Sequence, residues 1–139
     1  MAIKQLSVFV ENKPGKLLEI VKVLADARVN IRAMSLADTK DFGILRLIVS
    51  DIDRAKEILS RDSIVTITPV IAAEMSDKAG ALSSILEDFG FEHINIEYMY
   101  AFTASTALGA YVVFRVDDTE SAERVLKSKG IPVLDSLSI

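Results

Sequence analysis

The chain has 139 residues, 50% of them apolar, and its 20 acidic and 16 basic residues give it a net charge of −4. That balance provides no basic surface for a nucleic-acid backbone or an anionic membrane, so neither is an expected partner. The absence of cysteine excludes structural disulfides, thiolate metal sites and cysteine nucleophiles.

The start of the chain indicates a cytoplasmic protein. Residues 1–4 run directly into an alternating strand pattern, without the charged and apolar segments or the cleavage site of a secretory signal. Every apolar run is interrupted well before the roughly 20 residues that a membrane-spanning helix needs. We therefore expect the apolar residues to form a folded core.

The first two predicted elements are a strand and a helix. Leu6, Val8 and Val10 alternate with polar residues, which is typical of a half-buried strand. Asn12 is a good helix N-cap, and Pro14 suits a first helical turn. The pattern predicts a helix of about 13 residues. Its apolar residues recur at helical spacing, at Leu17, Ile20, Val21 and Leu24.

A hairpin, a second helix and a last strand complete the first half. The hairpin strands are rich in β-branched residues and flank the polar stretch 38–41. Asp51 or Asp53 is expected to cap the second helix, and the last strand is expected to end before Pro69. The strands are predicted at 29–36, 44–49 and 64–67.

The second half of the chain repeats the first. At a shift of 65 residues, 11–17 lies over 76–82 and 29–31 lies over 94–96, with matching lysine, glycine, leucine, asparagine and isoleucine residues. Strands are therefore predicted near 70–75, 94–102, 109–116 and 131–135, and helices near 78–89 and 119–129.

Two single-residue insertions are expected in loops of the second copy. The first places Gly43 over Gly109 and Asp51 over Asp117 at a shift of 66, and the second brings the following helices into line at a shift of 67. Each copy then has the order strand, helix, strand, strand, helix, strand.

This order predicts an α+β fold of two tandem ferredoxin-like βαββαβ sandwiches. We expect one module at residues 1–68 and the other at 69–139. No Gly/Ser-rich linker separates them, so the modules are expected to pack rigidly side by side.

The matched residues resemble the ACT family, which has an Asx-Lys-x-Gly-x-Leu turn into the first helix and an Asn-Ile pair that opens the second strand. Both copies carry both signals. The resemblance implies modules that pair with their sheets edge to edge and bind amino acids or other small metabolites at the interface between modules. It implies a non-enzymatic regulatory protein without a cofactor. Since these residues include no catalytic or DNA-binding domain, we expect it to act on an enzyme in trans.

The resemblance implies up to two ligand sites on this chain. Helix N-termini suit the carboxylate of an amino acid, and an asparagine side chain can serve both its carboxylate and its ammonium group. The implied positions are Asn12, Lys13, Pro14, Gly15, Lys16 and Leu17 with Asn30 and Ile31, and Asp77, Lys78, Ala79, Gly80, Ala81 and Leu82 with Asn95 and Ile96.

Each of these residue types also has a purely structural interpretation. The glycines can relieve a strand-to-helix turn, the asparagines can satisfy local backbone groups, and the lysines can be solvated. Pro14 is replaced by Ala79 in the second copy, so the two sites need not bind alike.

Other functions remain open at this stage. A protein-interaction module would use the same fold without a ligand. An acylphosphatase-like hydrolase would need an arginine after the first strand, where this chain has Lys13. The aromatic stripe Tyr98, Tyr100 and Phe102 could stack bases, but packing in a core or a module interface is favoured. His93 is interpreted as loop structure, because no second ligand or triad partner accompanies it.

A homodimer or an internal pairing of modules is expected, because sheets that expose edges tend to be covered by a partner.

Overall fold

The computed structural model describes residues 2–38, 41–76, 78–103 and 109–135. These residues form two compact units. The first unit is Lys4–Thr68, and the second comprises the described residues from Pro69 onward with Ala2 and Ile3. The elements are β1 Ile3–Glu11, α1 Lys16–Asp26, β2 Ile31–Asp38, β3 Phe42–Val49, α2 Ile52–Leu59, β4 Val65–Ser76, α3 Ala81–Phe91, β5 Ile96–Thr103, β6 Gly109–Val116 and α4 Thr119–Ser128. The predicted α+β class is confirmed, and the elements are consistent with two βαββαβ repeats that share the long strand β4.

In the first unit, β3 lies between β1 and β2 and is antiparallel to both. Phe9 N–H donates to the Ile64 carbonyl at 3.1 Å, where the chain approaches β4. The alternating residues of β1 that were predicted to be buried face a core that also takes one side of each helix. This core comprises Leu6, Val8, Val10, Ile20, Leu24, Val29, Leu45, Leu47, Ala55 and Leu59.

The second unit repeats this arrangement with β6 between β4 and β5. Phe89 of α3 meets Phe114 of β6 edge to face, with ring centroids 5.3 Å apart. Its core comprises Ile71, Ala73, Ile85, Phe89, Ile94, Val112, Phe114, Val116, Ala122 and Leu126.

The start of α1 differs from the prediction that Asn12 caps it and Pro14 lies in its first turn. The helix begins at Lys16, after Gly15 in the left-handed conformation, and has 11 residues. Lys16 N–H donates to the Lys13 carbonyl at 3.3 Å, so residues 13–16 form a β-turn. The positive φ of Gly15, 86°, at the third position is what a type II turn requires, and proline is common at the second position. Pro14 therefore stabilises the turn rather than the helix.

Two predicted strand boundaries are wrong. The strand expected to end before Pro69 continues through it as β4, since proline is compatible with extended backbone and lacks only its N–H. The strand predicted at 131–135 is reduced to a bridge between Ala73 and Val133. Pro132 cannot donate a hydrogen bond, which limits the pairing beside it.

The strand register corrects the alignment of the two copies. Val10 pairs with Gly43, and Met75, its counterpart, pairs with Ala110. Gly43 therefore corresponds to Ala110 and not to Gly109. Both inserted residues lie between β5 and β6, where 104–108 are outside the described residues, as are 39–40 of the first predicted hairpin loop.

The caps of the second helices agree with this corrected register. The Asp51 side chain accepts a hydrogen bond from an N–H of the first turn of α2, which confirms one of the two predicted caps, and Asp118 does the same for α4. Asp51 therefore corresponds to Asp118 and not to Asp117.

Candidate functional site

Both units carry the same turn between their first strand and first helix. In the second unit, Ala81 N–H donates to the Lys78 carbonyl at 3.2 Å, and Gly80 has φ 90°. A Cβ added at Gly15 would meet no atom within 4 Å. Glycine is therefore needed for its backbone angle and not for space.

The helix behind each turn begins with N–H groups that have no helical partner. The first helical bond of α1 runs from Glu19 N–H to the Gly15 carbonyl at 3.0 Å, so the amides of Leu17 and Leu18 precede the helical hydrogen bonds. In α3 the first such bond runs from Ser84 to Gly80 at 3.1 Å. The positive end of the helix dipole adds to these donors, and together they suit a carboxylate.

The lysines of the first turn are engaged in ion pairs. Lys13 Nζ lies 3.1 Å from Glu11 Oε2, and Lys16 Nζ lies 3.6 Å from Glu19 Oε2. The Lys13 hydrogen bond and charge lower the pKa of Glu11 from its usual 4.5, with a smaller contribution from Lys16. The second turn has fewer charges, because the equivalent positions hold Ser76, Ala81 and Ser84.

The asparagine before each second strand is fixed through its backbone. Asn30 N–H donates to Ser50 Oγ at 2.9 Å, and Asn95 N–H donates to Asp117 Oδ1 at 3.0 Å. Both asparagines are exposed, and within the described residues neither side chain forms a hydrogen bond. Their amide groups are therefore available to a ligand. Ser50 and Asp117 were missed by the sequence analysis, although a polar residue just before each helix cap was a signal for them.

The turn and the asparagine lie at opposite ends of the same sheet. Glu11, before the turn, pairs with Phe42, whereas Ile31, after Asn30, pairs with Val49. The seven steps from Phe42 to Val49 along β3 span about 23 Å at the usual rise of a strand. The second unit has the same arrangement, with pairs Ser76–Gly109 and Ile96–Val116. A single unit does not bring its predicted site residues together.

The remaining predicted positions divide between the turn and the core. Leu17 and Ile31 pack against the core of the first unit, and Leu82 and Ile96 pack against the core of the second. Asn12 is exposed just before the first turn. Ala79 lies in the second turn, and Asp77 is outside the described residues.

Other kinds of site find little support in the described residues. They contain no group of three or more side chains suited to a metal ion. His93 is exposed, and its N–H donates to the Gly90 carbonyl at 3.1 Å, as in a loop after a helix. Phe102 of the aromatic stripe stacks on Tyr111 with centroids 5.3 Å apart, and its neighbours Tyr98 and Tyr100 are half-buried. None of the described helices is long and apolar enough to cross a membrane.

The comparison with protein families identifies the fold. The model of the ACT domain pair matches residues 1–136. The chain belongs to the ACT family. This match confirms the family resemblance seen in the duplicated turn and asparagine. ACT domains are regulatory modules.

Solved structures agree with an ACT pair. Protein BT0572 from Bacteroides thetaiotaomicron is 40% identical, with a TM-score of 0.90 over 98% of this chain and 94% of that one. The ligand-free regulatory subunit of aspartate kinase from Thermus thermophilus is 14% identical, with a TM-score of 0.65 over 90% of this chain and 91% of that one. The regulatory subunit of aspartate kinase from Thermus flavus is 15% identical, with a TM-score of 0.63 over 90% of this chain and 88% of that one. At these lower identities the two subunits show the fold alone. No curated protein matches the sequence.

Proposed function

We propose that this ACT pair is a non-catalytic, cytoplasmic regulatory protein that binds an amino acid or a closely related metabolite and controls an enzyme in trans. The observation that carries the proposal is the duplication, in both units, of a helix N-terminus behind a type II turn and an exposed asparagine whose backbone is fixed. The helix N-terminus suits the carboxylate of an amino acid, and the asparagine side chain offers its carbonyl to the ammonium group. Regulatory subunits of aspartate kinase share the fold, which supports a regulatory role.

The separation of these two groups favours a site shared between two modules. β2 is an edge strand of the sheet. If two β2 strands pair in antiparallel fashion across a twofold axis, the start of one lies beside the end of the other. The end of β2, Asp38, pairs with Gly43, at the same end of the sheet as the 13–16 turn. The turn of one copy is then close to the partner's Asn30.

The sequence of β2 is suited to pairing with itself. Met34 and Leu36 are 45% and 51% exposed, which is unusual for large apolar residues on an edge strand. With the axis at Ser35, Met34 lies opposite the partner's Leu36. In the second unit, β5 holds the smaller Ala101 at the position of Leu36. We therefore propose a homodimer through β2, in which the ligand binds where two ACT modules pair.

A complementation experiment tests the shared site. A thermal-shift screen of the common amino acids first identifies a ligand that raises the unfolding midpoint. In an Asn95→Ala background, which leaves only the first-unit sites, Asn30→Ala and Gly15→Ala are each expected to abolish its binding. Mixing the two variants should restore part of it, because each mixed dimer has one site with both halves intact.

Two results would contradict the proposal. If mixing restores nothing while each variant still dimerises, the two halves do not belong to one shared site. If no amino acid stabilises the protein at millimolar concentration, a protein-interaction module without a ligand explains the fold better.

A further inference from the structure

The first unit contains a cleft of about 610 Å³ between α1 and the segment that leads from α2 to β4. The core residues Val10, Ile20 and Leu59 form the apolar floor of the cleft. Val23, which is 40% exposed, lines one side of it. Small-molecule sites typically have volumes of about 300 to 1,000 Å³ with mostly apolar linings. The cleft therefore has the size and the floor of a ligand site.

The charged groups around this cleft leave an excess of negative charge. Its charged lining residues are Glu11, Lys16, Glu19, Lys22, Asp26 and Asp62. Glu11 is paired with Lys13, which lies outside the cleft, and Glu19 is paired with Lys16. In the described part of the chain, Asp26, Asp62 and Lys22 form no ion pair. Two carboxylates thus remain against one ammonium group, and the long flexible stem of Lys22 lets that group stay in solvent.

The second unit differs from the first at three positions around this cleft. The positions of Val23 and Asp62 hold Asp88 and Lys129 there, and Lys129 Nζ lies 3.5 Å from Asp88 Oδ1. This ion pair ties α3 to the end of α4. The first unit has an apolar residue and an unpaired carboxylate at these two positions, and it has Asp26 where the second has Phe91. The apolar floor with free carboxylates is therefore specific to the first unit.

We propose that this cleft binds a small organic cation of the alkyl-diamine type, with its alkyl chain on the apolar floor and its ammonium groups on Asp26 and Asp62. A negatively charged cleft with apolar walls concentrates cations from solution. The apolar floor selects an alkyl cation over a hydrated inorganic one, because burial of methylene groups adds to the binding free energy. This cleft shares Lys16 with the residues implied for the amino-acid site, but that site uses neither Asp26 nor Asp62.

The test is an NMR titration of the ¹⁵N-labelled protein with 1,6-diaminohexane. Saturable shift changes are expected in residues 16–26 and 58–63, and sodium hexanoate, which has the same chain length and the opposite charge, should produce none there. Asp26→Asn with Asp62→Asn should weaken binding on the order of tenfold or more, because two charge pairs are lost. Asp53→Asn, on the same helix as Leu59 but outside the cleft, should leave binding unchanged.

A second variant installs the ion pair of the second unit. Val23→Asp with Asp62→Lys should close the cleft and remove the response to the diamine, while the amide spectrum stays dispersed. No saturation at millimolar concentration, an equal response to hexanoate, or full binding in this variant would each overturn the proposal. The amino-acid response of the double asparagine variant should be normal, so failure here is distinguishable from failure of the proposed function.

Discussion

Asn30 and Ser50 form a closed pair: Asn30 N–H donates to Ser50 Oγ, and Ser50 N–H donates to the Asn30 carbonyl, both at 2.9 Å. The pair fixes the residue before β2 against the residue after β3. Asn95 and Asp117 form the same pair in the second unit, with a carboxylate in place of the hydroxyl. Both units thus hold the asparagine in the same way with different side chains.

Replacement of Ser50 should reveal what this pair contributes. Ser50→Ala removes the acceptor of the Asn30 N–H, and we expect it to lower the free energy of unfolding by about 1 kcal/mol. Ser50→Asp installs the acceptor that the second unit uses, so it should retain most of the stability. Urea denaturation measures both. A stable Ser50→Ala protein together with an unstable Ser50→Asp protein would show that the hydroxyl is not the relevant acceptor.

The two turn glycines should not tolerate alanine. Gly15→Ala and Gly80→Ala force a Cβ into the left-handed region, which costs roughly 1–2 kcal/mol each. Gly130 has φ 70° after α4 and supplies the matched control, since Gly130→Ala should cost a similar amount. Denaturation curves measure the cost, and ligand titrations should separate the three variants. Only Gly15→Ala, whose turn belongs to the proposed site at the β2 interface, should lose amino-acid binding; equal loss in Gly130→Ala would mean that binding reports stability alone.

The sequence predicted the elements well because burial decides them. Leu6, Val8 and Val10, which alternate along β1, lie in the core of the first unit. Ile20 and Leu24, which recur at helical spacing along α1, lie in the same core. The turn was misassigned, because Pro14 fits both a first helical turn and the second position of a β-turn. Only the hydrogen bonds around it distinguish the two.

The register and the site were less accessible to sequence analysis. Gly43 and Gly109 matched as residue types, but strand pairing aligns Gly43 with Ala110, since identity does not report where a loop lengthens. The loop and the asparagine of each copy were expected to share a site. Sequence spacing does not show that they lie at opposite ends of a sheet, which follows only from the pairing of β3.

Acid should weaken one helix cap in a predictable direction. The Ser121 hydroxyl, 2.6 Å from Asp118 Oδ2, is the main cause that lowers the pKa of Asp118 from its usual 3.8. A lowered pKa contributes stability that is complete above the usual value and is lost as the pH falls through the pKa of the folded state. The stability difference between the protein and Ser121→Ala should therefore be full at neutral pH and shrink below about pH 4.

Ser83→Ala provides the control for this pH dependence. The Ser83 hydroxyl donates to the Gly80 carbonyl at 2.9 Å, which does not titrate, so its stability effect should not change with pH. Denaturation series across the acidic range measure both differences. A Ser121→Ala difference that grows on acidification would contradict the assignment.

The β2 edge should control dimer formation. Leu36→Lys places a charge in the proposed interface and should give a monomer by sedimentation or light scattering. Ala101→Lys makes the same change at the equivalent position of β5 and should leave the oligomeric state unchanged. Dissociation by Ala101→Lys alone would assign the interface to β5.

Isothermal titration calorimetry of the intact protein against each common amino acid measures directly whether the folded protein binds one of them. We expect saturable heat for one amino acid or a few related ones, lost with Asn30→Ala and retained in Gly130→Ala. A ligand specific to the folded state also raises the free energy of unfolding by about 2.7 kcal/mol at 100 times its dissociation constant. If the folded protein produces no binding heat with any amino acid at millimolar concentration, the account of it as an amino-acid-binding regulator is wrong.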